Sequence, residues 1–233
     1  MVVMGRVRDR TGVLCALPEE LGALAGQVIK RSRSQGLELL QLDLSDSGLP
    51  DPRGAELFAC VGGVGKVAAA QAASLLVSQG LDRLLVVGTC GALRRGMQVG
   101  SLLHCARTIQ ADLALREGRE VSAHEPLASI WRSVVPGLKG WLVTADRPVI
   151  TPWRRMRLAR AFLGPCAADM ETAAAARVAQ RAGVPWAALR VVTDLAGLGT
   201  ARRFAKNYPR LAGIPADTVS VLLAAVQASS HSF

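Results

Sequence analysis

The sequence predicts a single α/β domain built on a twisted, mixed, largely parallel sheet flanked by helices. Three observations point there. Short apolar runs alternate with alanine-rich helical patterns, the order that strand–helix units produce. Half of the 233 residues are hydrophobic, enough for one sizeable core. No linker, repeat or low-complexity tract divides the chain, so residues 1–233 read as one domain.

The elements follow in order. "GVLCAL" (12–17) reads as a buried strand. "PEELGALAGQVIKRS" (18–32) then starts with proline and acids, the ordinary opening of a helix. "LELLQLDL" (37–44) and "ELFACVGG" (56–63) are the next strands, and "KVAAAQAASLLVSQG" (66–80) is a helix closed by glycine. "RLLVVGTCGAL" (83–93) is a strand running into a glycine loop; "SLLHCARTIQ" (101–110) and "GWLVTADRPVI" (140–150) are further strands. A helix over about 170–182 stops at "GVP", the strand "WAALRVVTD" (186–194) follows, and "ADTVSVLLAAVQASS" (216–230) closes the chain as a helix.

Composition narrows the function classes. No apolar run is read as a membrane span, and "MVVMGRVRDR" lacks a signal peptide's apolar segment, so a cytoplasmic location without membrane contact is expected. The five cysteines form no CxxC or Cys/His ligand pair and read as reduced, buried thiols; no metal is expected. A formal charge of +10 invites a nucleic-acid reading, with arginines clustered in 151–164 and 200–213. Aromatics at 4% are too sparse for base-stacking platforms, so solvated basic helix faces are the simpler account. The three histidines have no partner at ligand or triad spacing.

In a parallel sheet, ligands bind beyond the carboxyl ends of strands. "GGVGK" (62–66) lacks the P-loop spacing and its Ser/Thr, so its glycines read as a tight strand-to-helix turn. "VGTCGAL" (87–93) offers a cradle of N–H groups and the Thr89 hydroxyl. Glu20 follows the first strand, Glu171 stands at a helix start, and Asp194 ends a late strand. One acid in a first helical turn ordinarily complements the helix dipole. Three acids at equivalent strand ends beside a glycine loop suggest a site.

These segments together resemble the nucleoside phosphorylase/nucleosidase superfamily, nearest to the 5′-methylthioadenosine/S-adenosylhomocysteine nucleosidases. "CALPEELGAL" is similar to that family's opening strand and glutamate turn, and "GGVGKVAAAQAA" to its second glycine turn. "VGTCGALRRGMQVGSLL" is similar to its substrate loop, and "ADMETAAAARVAQRAGVPWAALRVVTD" to its ribose-binding and base-protonating segments. The likeness runs over about 12–228. It implies a phosphorylase/hydrolase-like fold, hydrolysis of a purine nucleoside's N-glycosidic bond to free base, no cofactor, and a homodimer. The substrate implied is a 5′-modified adenosine or a specialised analogue.

Cleavage at C1′ builds an oxocarbenium-like sugar while electrons flow into the base. By resemblance, Asp194 gives a proton to the purine N7, steadied by Thr193, and Glu20 orients or deprotonates the attacking water. Glu171 accepts hydrogen bonds from the ribose hydroxyls and Met170 packs under the sugar. Thr89, Cys90 and Gly91 line ribose and base, the Val149 backbone reads the base edge, and Phe204 covers the 5′-substituent. Asp169 supports the turn. Pro148 replaces an aromatic that stacks on adenine, and Ser101 replaces an aspartate. Arg202 and Arg203 hint at an acidic 5′-group.

Val86 stands where the superfamily's phosphorylases carry a phosphate-binding arginine, and "ALPEE" replaces their early phosphate turn. Water is therefore expected over phosphate. A phosphorylase, recruiting phosphate through arginines such as those at 94–95, is the alternative enzyme. A non-catalytic nucleic-acid- or membrane-binding protein on the same fold is the alternative of another class.

Overall fold

The computed structural model describes residues 9–45, 54–94, 96–115 and 119–230. Its elements are β1 (Asp9–Cys15), a 3-10 segment (Pro18–Gln27), β2 (Val28–Ser34), β3 (Leu37–Leu42), β4 (Ala55–Val61), α1 (Lys66–Val77), β5 (Arg83–Ala92) and β6 (Leu102–Gln110). They continue as β7 (Glu120–Ser122), α2 (Glu125–Val134), β8 (Leu138–Thr144), α3 (Pro152–Arg160), β9 (Cys166–Asp169), α4 (Thr172–Arg181) and β10 (Trp186–Asp194). Three helices close the chain: α5 (Thr200–Leu211), α6 (Ile214–Asp217) and α7 (Val219–Ser230).

The strands form one mixed sheet. β4, β1, β5 and β10 run parallel, as do β6, β8 and β9. Antiparallel β10–β6 and β5–β9 pairings join the two parallel groups, so β5, β10, β6, β8 and β9 close on themselves. β3 and β2 extend the other edge antiparallel. Every residue of β10 is buried, which suits its mostly apolar side chains; Arg190 and Asp194 are the charged exceptions. The carboxyl ends of β1, β5, β8, β9 and β10 gather at one side of this closed group.

The segment after β1 corrects the sequence reading. The helix expected over 18–32 is a 3-10 stretch broken at Gly22 (φ 51°), and its second half is the strand β2. "VIKRSRS" pairs with β3, where its β-branched start and alternating polar residues suit a sheet edge better than a helix. The short β9 precedes the expected acid-triplet helix, and α2 fills an unassigned stretch with Leu127, Ala128 and Trp131 turned inward.

The alanine face of α1 has a use within the chain. Ala69, Ala72 and Ala73 are buried, and α1 packs on α4, whose Ala173, Ala175 and Ala176 are equally buried. Small residues there serve close helix packing inside one subunit.

By length and composition the helical run Thr200–Ser229 is apolar enough to cross a membrane, a feature the sequence reading passed over. Half of that window is buried inside the body, with Leu211, Ala216, Val219, Leu222 and Leu223 in the core. All five cysteines are free and buried, as expected. His104 is buried against the Val135 carbonyl and His124 caps α2; His231 lies outside the described residues.

Candidate active site

A cavity of about 370 Å³ opens where the strand ends gather. Glu20, Thr89, Cys90, Gly91, Val149, Met170, Glu171, Thr193, Asp194 and Phe204 all line it, so the structure brings together the ten residues given catalytic or binding roles from the sequence. Pro148, Asp169, Thr200 and Arg147 line it too.

Glu20 is 2% exposed, placed just beyond β1 by the 3-10 turn that Pro18 opens. Its Oε2 accepts from the Ala16 and Leu17 N–H groups at 2.9 and 3.2 Å. Its Oε1 accepts from the Thr89 N–H and hydroxyl at 3.0 and 3.1 Å. Four donors fix this carboxylate against β5. Gly88 makes the approach possible: its φ of +138° is unsuited to a side chain, and a Cβ there would sit 2.7 Å from Glu20 Oε1.

Asp169, Met170 and Glu171 form the corner between β9 and α4. Asp169 Oδ2 accepts from the Thr172 N–H at 3.0 Å, satisfying a free donor of the helix start, while Oδ1 accepts from the Thr144 hydroxyl at 2.5 Å. Asp169 thus supports the turn, as expected. Glu171 is turned towards the cavity, accepting from the Gly65 N–H at 3.2 Å and the Met170 N–H at 3.3 Å. Gly65 (φ +101°) belongs to the glycine turn before α1. The lysine of that turn, Lys66, is engaged by Asp112 and Asp146, so it does not serve as a phosphate lysine.

Arg190 is the residue that sequence reasoning missed. It lies in the middle of β10, 1% exposed. Its guanidinium reaches Asp169 at 2.9 Å, Glu171 at 3.5 Å, the Thr172 hydroxyl at 2.9 Å and the Val87 carbonyl at 3.2 Å. The available signal was a lone arginine inside "WAALRVVT", where every neighbour is apolar. Burial opposes the Arg190 charge, but Asp169, Glu171 and Glu20 outweigh it and hold its pKa above the ordinary value. Glu171 moves the other way: burial raises it to about 7, opposed by Arg190 and reinforced by Asp169.

Asp194 ends β10 beside a register shift between Val192 and Asp194 that re-aims the strand end. Its Oδ1 accepts from the Ala196 N–H at 2.8 Å and the Thr200 hydroxyl at 3.1 Å. The Thr193 hydroxyl lies 3.2 Å from Oδ2 and 3.3 Å from the Cys90 carbonyl, so its one proton can serve either. Burial is the largest influence on Asp194 and raises its pKa, against three hydrogen bonds that lower it. Burial likewise pushes up the Cys90 thiol, keeping it neutral in the wall.

Phe204 lines the cavity and stacks on Tyr208 with ring centroids 4.7 Å apart. Arg202 and Arg203, read as hints of an acidic ligand, do not line it; Arg203 donates to the Leu198 carbonyl at 2.7 Å. Among the described residues, the guanidinium that lines this cavity is that of Arg147. Val86, at the phosphorylases' arginine position, is fully buried in β5. Arg95 lies outside the described residues. Among those described, no cluster of His, Cys, Asp and Glu is arranged to hold a metal.

A fold in which the ends of β1, β9 and β10 deliver three acids to one cavity beside a glycine loop belongs to a recognised class. Residues 10–220 match the Phosphorylase superfamily, and the chain belongs to it. It is 25% identical, over 91% of its length and 94% of the relative's, to the 5′-methylthioadenosine/S-adenosylhomocysteine nucleosidase of Mycobacterium bovis. It is 31% identical to the futalosine hydrolase of Thermus thermophilus over 58% of this chain and 68% of that one. Its fold matches the S-adenosylhomocysteine nucleosidase of Streptococcus pyogenes, crystallised with 5-methylthiotubericidin, with a TM-score of 0.83. That match is 21% identical and covers 95% of this chain and 98% of the other. Its homologues are nucleosidases, N-glycosyl hydrolases of purine nucleosides.

Proposed function

We propose that this cavity hydrolyses the N-glycosidic bond of a purine nucleoside, a 5′-modified adenosine such as methylthioadenosine or S-adenosylhomocysteine, releasing the free base. The observation that carries the reading is the convergence of Glu20, Glu171 and Asp194, each 5% exposed or less, on one cavity from three strand ends. Their environments divide the labour. Asp194, whose burial favours the protonated carboxyl, is suited to protonate the departing base at N7. Glu20, acceptor-only and held by four donors, is suited to orient and deprotonate water. Glu171 grips the ribose hydroxyls and sets negative charge beside the developing cation, with Met170 beneath the sugar. Thr89, Cys90 and Gly91 line ribose and base, the Val149 backbone reads the base edge, Thr193 steadies Asp194, and Phe204 covers the 5′-group.

Water is favoured over phosphate by charge. Glu20 occupies the nucleophile's side of the cavity, and Arg190 is already matched by Asp169 and Glu171. At an effective dielectric of about 20, unit like charges ~4 Å apart repel by roughly 4 kcal/mol, and a dianion by more. The resemblance further implies a homodimer working in the cytoplasm. Arg147 supports a second reading of the substrate, in which an acidic 5′-substituent meets this cation.

The test is base release from methylthioadenosine and S-adenosylhomocysteine, with and without phosphate. Adenine and the ribose that keeps its 5-thio substituent and gains a hydroxyl at C1 are the expected products in both buffers, and arsenate brings no acceleration. A pentose 1-phosphate as the main product would establish the phosphorylase instead; binding without turnover would establish the non-catalytic reading.

A further inference from the structure

A second cavity, about 430 Å³, shares α3 as a wall with the first. Leu158 of that helix faces the first cavity, whereas Arg155, Met156, Ala159 and Arg160 face the second, opposite Leu93 and Arg94 at the end of β5. Among the described residues, no carboxylate lines it. Among the described residues, Arg94, Arg155 and Arg160 take part in no ion pair, and α3 carries four arginines and no acid.

Two of these heads are held in place. Arg94 Nη2 donates to the Phe162 carbonyl at 2.6 Å, and Arg155 Nε donates to the Leu93 carbonyl at 2.8 Å. Each bond uses one N–H of a guanidinium and leaves the others for a ligand. Backbone carbonyls anchor these cations, so their charge is not cancelled. Three like charges around one concavity repel one another, and that repulsion is relieved when an anion enters. Guanidinium forks match paired phosphate oxygens. The spread of three cations over a cavity this size suits a chain of phosphates better than a single tetrahedral ion.

We infer that the cavity between α3 and the end of β5 binds a polyphosphate anion, a diphosphate or longer, through Arg94, Arg155 and Arg160. The site is separate from the acid-lined cavity and does not depend on the chemistry assigned there. α3 has no buried residue of its own. An anion bridging Arg94 to Arg155 and Arg160 therefore fastens this helix to the sheet.

Calorimetric titration of the full chain with inorganic pyrophosphate at low ionic strength tests the inference. Binding is expected, weakening as salt is added, and on the order of tenfold weaker in R155Q and in R160Q. R160Q guards against misfolding, because Arg160 is exposed and makes no described hydrogen bond; melting curves of both variants check the fold. Parallel titrations with ADP assign the source: tighter binding than pyrophosphate points to a nucleotide, equal binding to free pyrophosphate. No binding to the wild type overturns the proposal. So does binding that survives R155Q and R160Q but is lost in R147Q, which places the anion in the first cavity.

Discussion

Replacing Glu171 by glutamine (E171Q) probes the electrostatics of the site while keeping its shape. Burial raises the folded-state pKa of this carboxyl from 4.5 to about 7. The folded chain therefore holds the proton more tightly than the unfolded chain. At pH below 4.5 the group is protonated in both states and opposes folding little. As pH climbs from about 4.5 to about 7, the unfolded chain gains the ionised form more readily, and stability falls until the penalty levels off. A displacement of that size corresponds to roughly 3 kcal/mol at pH 8 and roughly 1 kcal/mol at pH 5. Glutamine does not titrate. The stability of E171Q relative to wild type should therefore rise by about 2 kcal/mol between pH 5 and pH 8, whatever constant effect the amide has on packing. Asp194 titrates in both chains and cancels in the difference. Urea denaturation of both proteins at pH 5, 6.5 and 8, without ligand, gives the comparison. A gap that stays constant with pH, or moves against the variant, refutes the argument that Glu171 is ionised at a cost. The same variant should bind nucleoside more weakly, because an amide places a donor where the ribose hydroxyls need an acceptor.

D194N should lose turnover by on the order of 10²–10⁴-fold, the usual contribution of a general acid, with an unchanged melting curve; near wild-type turnover would remove Asp194 from the chemistry. E20Q turns an acceptor of two donors into a donor facing them, so hydrolysis should stop. Calorimetry should still find nucleoside binding in E20Q, and loss of binding together with turnover would reassign Glu20 to structure. The chain should scatter light as a homodimer at micromolar concentration, and a monomer would refute the partner expectation.

What the sequence made legible was the set of acids at strand ends. Glu20 and Asp194 follow the parallel strands β1 and β10, where position alone delivers side chains to one edge; Glu171 follows β9, antiparallel to β5, and joins them because the sheet closes on itself. Strands were legible where apolar runs were long, as in β5 and β10. β9 was not, because four residues give no period, and its pairing is decided by β5 and β8 on either side. β2 was misread because Pro18 and two first-turn acids are a true helix signal; Gly22 and the pairing with β3 override it. The small-residue face of α1 is legible as a packing surface, and within the chain it packs on α4. No feature of α1 could say that α4, a hundred residues on, carries the matching alanines.

Arg190 shows why site residues escape a reading that looks for chemistry one residue at a time. Alone in an apolar strand, an arginine is an anomaly; its meaning lies in Asp169 and Glu171, twenty residues earlier. The charges of Asp169 and Glu20 bear on Glu171, so the carboxylates by themselves would repel one another. A guanidinium within 3.5 Å of both compensates them, while Asp169 accepts from the Thr144 hydroxyl and from the Thr172 N–H at the start of α4. The pairing also removes Arg190 as a free cation for phosphate. Removing one partner of such a buried group generally costs roughly 3–5 kcal/mol, because the remaining charge is left without compensation. The arginine therefore offsets the repulsion among the acids, the acids fix the position of the arginine, and the cavity is left with an acceptor-rich wall suited to water and hydroxyl groups.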